Sequence, residues 1–137
     1  MPDNSVELLY ENEGLRFQGT AGPDSIALSG KGDPPGAGPG PMELLLLALG
    51  GCTGMDVVSI LRKMRQPLEG FRIEVHGERA EEHPKEYTSI EIVYHVKGDV
   101  SEAKLQRAIE FSETRYCSVE ATLRAGVPVG SRYVMET

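Results

Sequence analysis

Between residues 42 and 65 the chain reads MELLLLALGGCTGMDVVSILRKMR, and no proline interrupts it. Leu44 to Leu49 are apolar without a break. Met55, Val57, Val58, Ile60, Leu61 and Met64 carry the pattern on, and charges gather only at Arg62, Lys63 and Arg65. A helix that is apolar nearly all round belongs in a core. At about 1.5 Å per residue this one runs ~36 Å, the span of a small domain. A bilayer crossing takes ~20 predominantly apolar residues, whereas Gly50, Gly51, Thr53, Gly54 and Asp56 break up the middle of this run. The stretch is therefore read as the core helix of a soluble protein, with Cys52 at its centre.

The remaining totals narrow the classes. A chain of 137 residues suffices for one domain, 1–137, around one core. A formal net charge of -7 argues against nucleic acid, which selects clustered Lys and Arg. No basic and apolar leader opens the chain, so a cytoplasmic location away from the membrane is expected. Cys52 and Cys117 are the two cysteines. In a reducing compartment such a pair is catalytic, redox-active or simply buried more often than it is a staple. There is no CxxC, no Cys/His cluster at metal-ligand spacing, no Walker loop and no GxGxxG, and His76, His83 and His95 are scattered. Neither cofactor nor metal is expected.

Taken in order, SVELLY (5–10), LRFQG (15–19) and the segment 25–29 read as three short strands separated by turns, a meander. Arg16 and Gln18 share a face of the second. Residues 30–41 (GKGDPPGAGPGP) form a loop on composition, either an inert linker or an ordered loop over a site. Pro41 suits the first helical position and Glu43 the positive end of the helix dipole. Gly50 and Gly51 each cost a helix about 1 kcal/mol against alanine. Close approach of a second helix, or room for a substrate beside Cys52, offsets that. FRIEVHGE (71–78) and YTSIEIVYHVK (87–97) alternate as a hairpin; Phe71, Ile73, Val75, Ile90, Ile92, Tyr94 and Val96 make the apolar face, and His95 lies on the other. Ser101 caps the next helix, a short helix follows over about Ser118 to Arg124, and VPVGSRYVM (127–135) is the last strand. The fold class is α+β, in the order βββ-α-ββ-αα-β.

Two thiols carry the chemistry. Cys117 stands where one helix stops and the next begins, among free N–H groups that favour a thiolate. Cys52, inside an apolar helix, calls for a raised pKa unless a cation reaches it, and Asp56 one turn on opposes its ionisation further. A reactive Cys52 therefore requires an arginine or lysine from elsewhere. The plainer reading makes both cysteines core filler, as free cysteine often is.

The pairing of GPGPMELLLLALGGCTGMDVVSIL with the later RYCSVEATL resembles the family of osmotically inducible protein C (OsmC) and organic hydroperoxide resistance protein (Ohr), in particular its YhfA-like branch, along nearly the whole chain. The resemblance implies an OsmC-like fold with a long buried central helix, assembled as an intertwined homodimer with two sites at the interface. It also implies a cysteine-based organic hydroperoxide reductase of the oxidative or osmotic stress response. Cys52 would be the peroxidatic thiol and Cys117 the resolving thiol, with the disulfide reduced by an external dithiol. Family members hold an arginine beside the thiolate with a glutamate. Glu43, offset by one position from its place in the hydroperoxide branch, is the candidate for that glutamate. Arg16 is the candidate arginine, with Lys31 behind it.

Three functions are thus weighed. One is an enzyme acting on a small organic hydroperoxide. The second is a non-enzymatic dimeric binding or stress protein of the same fold, with an apolar cleft beside Gly50 and Gly51 that holds a lipid-like or other small ligand. The third, an RNA-binding domain, is disfavoured by the acidic balance. The first two separate on whether the two sulfurs meet.

Overall fold

The computed structural model describes residues 3–137, which divide into two units, the first ending at Leu45 and the second running from Leu46 to Thr137. In the first, strands β1 (Glu7–Tyr10), β2 (Phe17–Ala21) and β3 (Asp24–Leu28) form an antiparallel meander with β2 in the middle. Gly22, at φ 60°, lets β2 turn back into β3 across two residues. Strand β2 begins at Phe17, so Arg16 stands just ahead of it rather than within it. The Gly/Pro tract is an ordered loop. Ser29 donates its N–H to the carbonyl of Pro39 at 3.2 Å and its hydroxyl to that of Gly38. The carboxylate of Asp33 accepts from the N–H of Gly30 at 2.8 Å and of Leu15 at 3.3 Å.

Helix α1 spans Pro41–Lys63, and Arg65, at φ 58°, turns the chain out of it. In the second unit β4 (Leu68–Arg79) and β5 (Tyr87–Gly98) form the long antiparallel hairpin, and β6 (Val129–Glu136) lies parallel to β5 on its other side. A parallel neighbour needs a crossover of a dozen residues or more. That crossover is α2 (Glu102–Phe111), one π-helical turn over Ser112–Tyr116, and α3 (Ser118–Arg124). Ser101 caps α2, its hydroxyl accepting the N–H of Lys104 at 3.3 Å. The expected element order is thus the observed one, and the π-turn is the addition.

The core follows from the alternation. Register sets Phe71 against Val96, Ile73 against Tyr94 and Val75 against Ile92, so the apolar side chains of the hairpin share a face. As the central strand, β5 is the most buried: Ile92, Tyr94 and Val96 are fully covered, and so is Val93 on the opposite face. Helix α1 adds Leu49, Thr53, Val57 and Leu61, spaced by four, a single stripe along one side. Gly50 and Gly54 lie in that contact; a Cβ on Gly50 would meet Val75 Cγ2 at 2.9 Å and one on Gly54 would meet Ile73 Cδ1 at 2.6 Å. Within one chain, the close approach these glycines permit is therefore to a strand, not to a second helix. Burial of α1 in the single chain is also one-sided, since Leu47 and Met55 are 60% and 75% exposed.

Candidate active site

Cys52 and Asp56 stand one turn apart on α1, so both project from the same face. The π-turn brings Cys117 to them. Its defining bond runs from the N–H of Cys117 to the carbonyl of Ser112, five residues back, at 2.8 Å. The hydroxyl of the same Ser112 donates to Asp56 Oδ2 at 2.9 Å. One buried serine thus fixes the backbone of one cysteine and the carboxylate beside the other. The two sulfurs and an Asp56 oxygen all lie within 4.8 Å of one another. Cys52 is half-buried and Cys117 buried, and both are free thiols. Two sulfurs and one oxygen are also donors that zinc accepts, so these three are the residues that could hold a thiophilic ion.

Cys117 reverses one expectation. It does occupy the N-cap of α3, and its Sγ accepts the N–H of Glu120 at 3.3 Å. That single bond favours the thiolate, but burial outweighs it. With Cys52 and the charge of Glu120 acting in the same direction as burial, the thiol is pushed up to about 12 rather than lowered. Cys117 is protonated at neutral pH. Sequence position gave the helix start correctly and could not give the depth.

Around the pair lies a polar patch that sequence reasoning missed. Tyr94, counted among the apolar face, is held by burial well above the ordinary phenol range, with Thr53 acting against that shift; its hydroxyl lies 3.5 Å from Glu113 Oε1. Glu120 is 3% exposed, and burial together with Glu113 pushes its carboxyl up to about 7, against the opposing charge of Arg124. Ser112 and Glu120 read in sequence as ordinary helical spacing. The one available signal was the Cys-x-x-Glu order at a helix start, which matches a capping box with sulfur in place of hydroxyl.

Arg16 and Glu43 both lie in the first unit. Arg16 Nη2 is 3.4 Å from Glu13 Oε1, and its Nε is 3.8 Å from Asp33 Oδ1. Glu43 Oε1 accepts the N–H of Gly40 at 3.0 Å, closing the start of α1. The two do not form an ion pair with each other. His95, on the non-apolar face of β5, sits between Glu74 and Glu136, and its hydrogen bond holds the Glu74 carboxyl below the ordinary range.

The helix that carries Cys52 and the turn that carries Cys117 both fall within the stretch matched by the family model of OsmC-like protein. That model matches residues 30–132, and the chain belongs to that family. Among relatives, the chain is 40% identical over 124 residues to Protein YhfA of Escherichia coli K12, covering 88% of this chain and 90% of that one. A hypothetical protein from Aquifex aeolicus VF5 has the same architecture at TM-score 0.84 and 35% identity, with all of both chains covered. An organic hydroperoxide resistance protein from Elizabethkingia anophelis shares the fold at TM-score 0.73 and 10% identity, over 99% of this chain and 98% of that one.

Proposed function

We propose that the protein is a thiol-dependent peroxidase that reduces small organic hydroperoxides in a stress response. The observation that carries this reading is the meeting of Cys52 and Cys117 within 4.8 Å, although 65 positions separate them. A disulfide requires an S–S distance of about 2.05 Å, which a change of side-chain rotamer can supply over such a gap. The roles follow from exposure. Cys52, the half-buried thiol, attacks the terminal oxygen of the hydroperoxide as thiolate. The O–O bond breaks, the alcohol leaves with a proton, and Cys52 becomes a sulfenic acid. Cys117, buried and protonated, is suited to wait for that product: its sulfur bonds to Cys52, water leaves, and an external cytoplasmic dithiol reduces the disulfide.

Arg16, the candidate cation, is engaged in this chain by Glu13 and Asp33, and Glu43 closes the start of α1. The assembly is a homodimer, in which a second copy covers the apolar side chains of α1 that one chain leaves exposed. No metal or other cofactor takes part.

Cumene hydroperoxide consumption with dithiothreitol as reductant tests this. Cys52→Ser abolishes turnover, and Cys117→Ser, assayed without dithiothreitol, consumes one equivalent and holds a sulfenic acid that dimedone labels. Equal turnover by wild type and Cys52→Ser removes the enzyme. In that case the second reading gains, a binding protein for an apolar ligand. It is favoured by an open cavity of about 320 Å³ in the first unit, lined by Leu8, Ile26, Leu28 and Leu44.

A further inference from the structure

Asp56 has no task in the thiol chemistry above. A carboxylate beside two sulfurs opposes the thiolate that attack requires. Yet its position is fixed: the fully buried Ser112 donates its hydroxyl to Asp56 Oδ2 at 2.9 Å. Among the described residues no arginine, lysine or histidine forms an ion pair with it. Three acidic donors are thus gathered from two elements, with Cys52 Sγ, Cys117 Sγ and an Asp56 oxygen all within 4.8 Å of one another.

We propose that Cys52, Cys117 and Asp56 bind a thiophilic divalent cation of the zinc class when both cysteines are reduced, and that the bound ion closes the pair to hydroperoxide. The closing rests on the peroxidase reading above; the site itself rests on the geometry. Zinc takes sulfur at about 2.3 Å and carboxylate oxygen at about 2.0 Å, so tetrahedral neighbours stand about 3.5–3.8 Å apart. Donors already within 4.8 Å reach that spacing by small side-chain rotations. Two sulfurs select against magnesium and calcium, which take oxygen. A supporting shell is in place as well, since metal-binding carboxylates are themselves hydrogen-bonded. Ser112 does this for Asp56, and its bond to Oδ2 leaves carboxylate lone pairs for an ion. The N–H of Glu120 steadies Cys117 Sγ at 3.3 Å, and the π-turn bond from the Cys117 N–H to the Ser112 carbonyl ties one serine to both halves of the site. Cys52 is half-buried, so the ion enters from solvent and keeps water as its fourth ligand. On binding, two metal–sulfur bonds and one metal–oxygen bond form, both thiol protons pass to solvent, and nothing is oxidised. The ion is a competitor of the peroxidase and not its cofactor. With both sulfurs engaged, neither attacks a peroxide nor joins the other; disulfide formation removes both donors and releases the ion.

Cobalt(II) is the probe, because it accepts the same ligands and reports thiolate ligation through a sulfur-to-cobalt charge-transfer band. Reduced protein, titrated without oxygen, develops that band and the visible bands of tetrahedral cobalt up to one ion per chain, and Zn2+ then removes them. Asp56→Asn weakens cobalt binding about tenfold or more, and Ser112→Ala about tenfold. Wild type with Cys52 alkylated by iodoacetamide loses the bands, an arm that needs no variant to fold. Reduced wild type without the charge-transfer band overturns the site. So does Asp56→Asn that binds cobalt as tightly as wild type, or alkylated protein that binds it unchanged. One equivalent of Zn2+ halts single-turnover consumption of cumene hydroperoxide, run without dithiothreitol because that dithiol chelates zinc; unchanged consumption overturns the closing. Protein that binds cobalt through sulfur but consumes no hydroperoxide when metal-free sinks the peroxidase and leaves the metal site standing.

Discussion

Glu120 is also a handle on stability. Folded, its carboxyl titrates at about 7; exposed, at 4.5. Between those values the folded chain keeps a proton that the unfolded chain has lost. The group therefore favours folding most below about pH 4.5, and that advantage drains away as pH rises through 7. The difference is on the order of 3 kcal/mol by pH 8. Urea denaturation at pH 5 and pH 8 should show wild type losing more stability across the interval than Glu120→Gln, by that order. Equal losses in the two proteins would contradict the burial argument. At the same scale, Asp56 places a negative charge beside both sulfurs. Asp56→Asn should speed alkylation of Cys52 by iodoacetamide about threefold or more at pH 7, read by mass spectrometry.

The elements show what could be read from the chain and what could not. The two faces of the hairpin, the Ser101 cap and the limits of α3 followed from alternation and capping chemistry, which act over a few residues. The three-strand opening was legible for the same reason, with boundaries displaced by one or two positions. The π-turn was not legible: Ser112 to Tyr116 (SETRY) has no composition that distinguishes it from one more α-turn. Its consequence, Ser112 holding Asp56 across 56 residues, is a tertiary fact. Nor could spacing alone say that Glu43 would close its own helix or that Arg16 would be engaged by Asp33.

The glycines of α1 allow a graded test at this scale. A Cβ on Gly50 meets Val75, a β-branched side chain that cannot swing away, whereas one on Gly54 meets the flexible end of Ile73, and one on Gly51 meets nothing within 4 Å. Gly50→Ala should destabilise by about 1–3 kcal/mol, with Gly54→Ala milder, as measured by the shift in melting temperature. Ser112→Ala should cost about 1–3 kcal/mol by stripping Asp56 of its buried donor.

For the whole molecule, the long helix poses the main question. Its buried stripe accounts for one side, and the exposed Leu47 and Met55 remain on a helix apolar enough to have been read as buried throughout. If a second copy covers them, light scattering should give twice the mass of one chain, and Leu47→Glu should halve it. A wild-type chain that elutes as a monomer at micromolar concentration would remove the dimer.

The sulfur of Cys117 does two jobs, since it also receives the first amide of α3 to be satisfied from outside the helix. Once that sulfur is tied to Cys52, it turns away from the amide and is a poorer acceptor. Helix ends deprived of their cap weaken by about 1 kcal/mol, which corresponds to roughly fivefold faster local opening. Deuterium uptake at the amide of Glu120 should therefore differ between the dithiol and disulfide forms, so that the redox history of the chain is written into the fraying of seven residues.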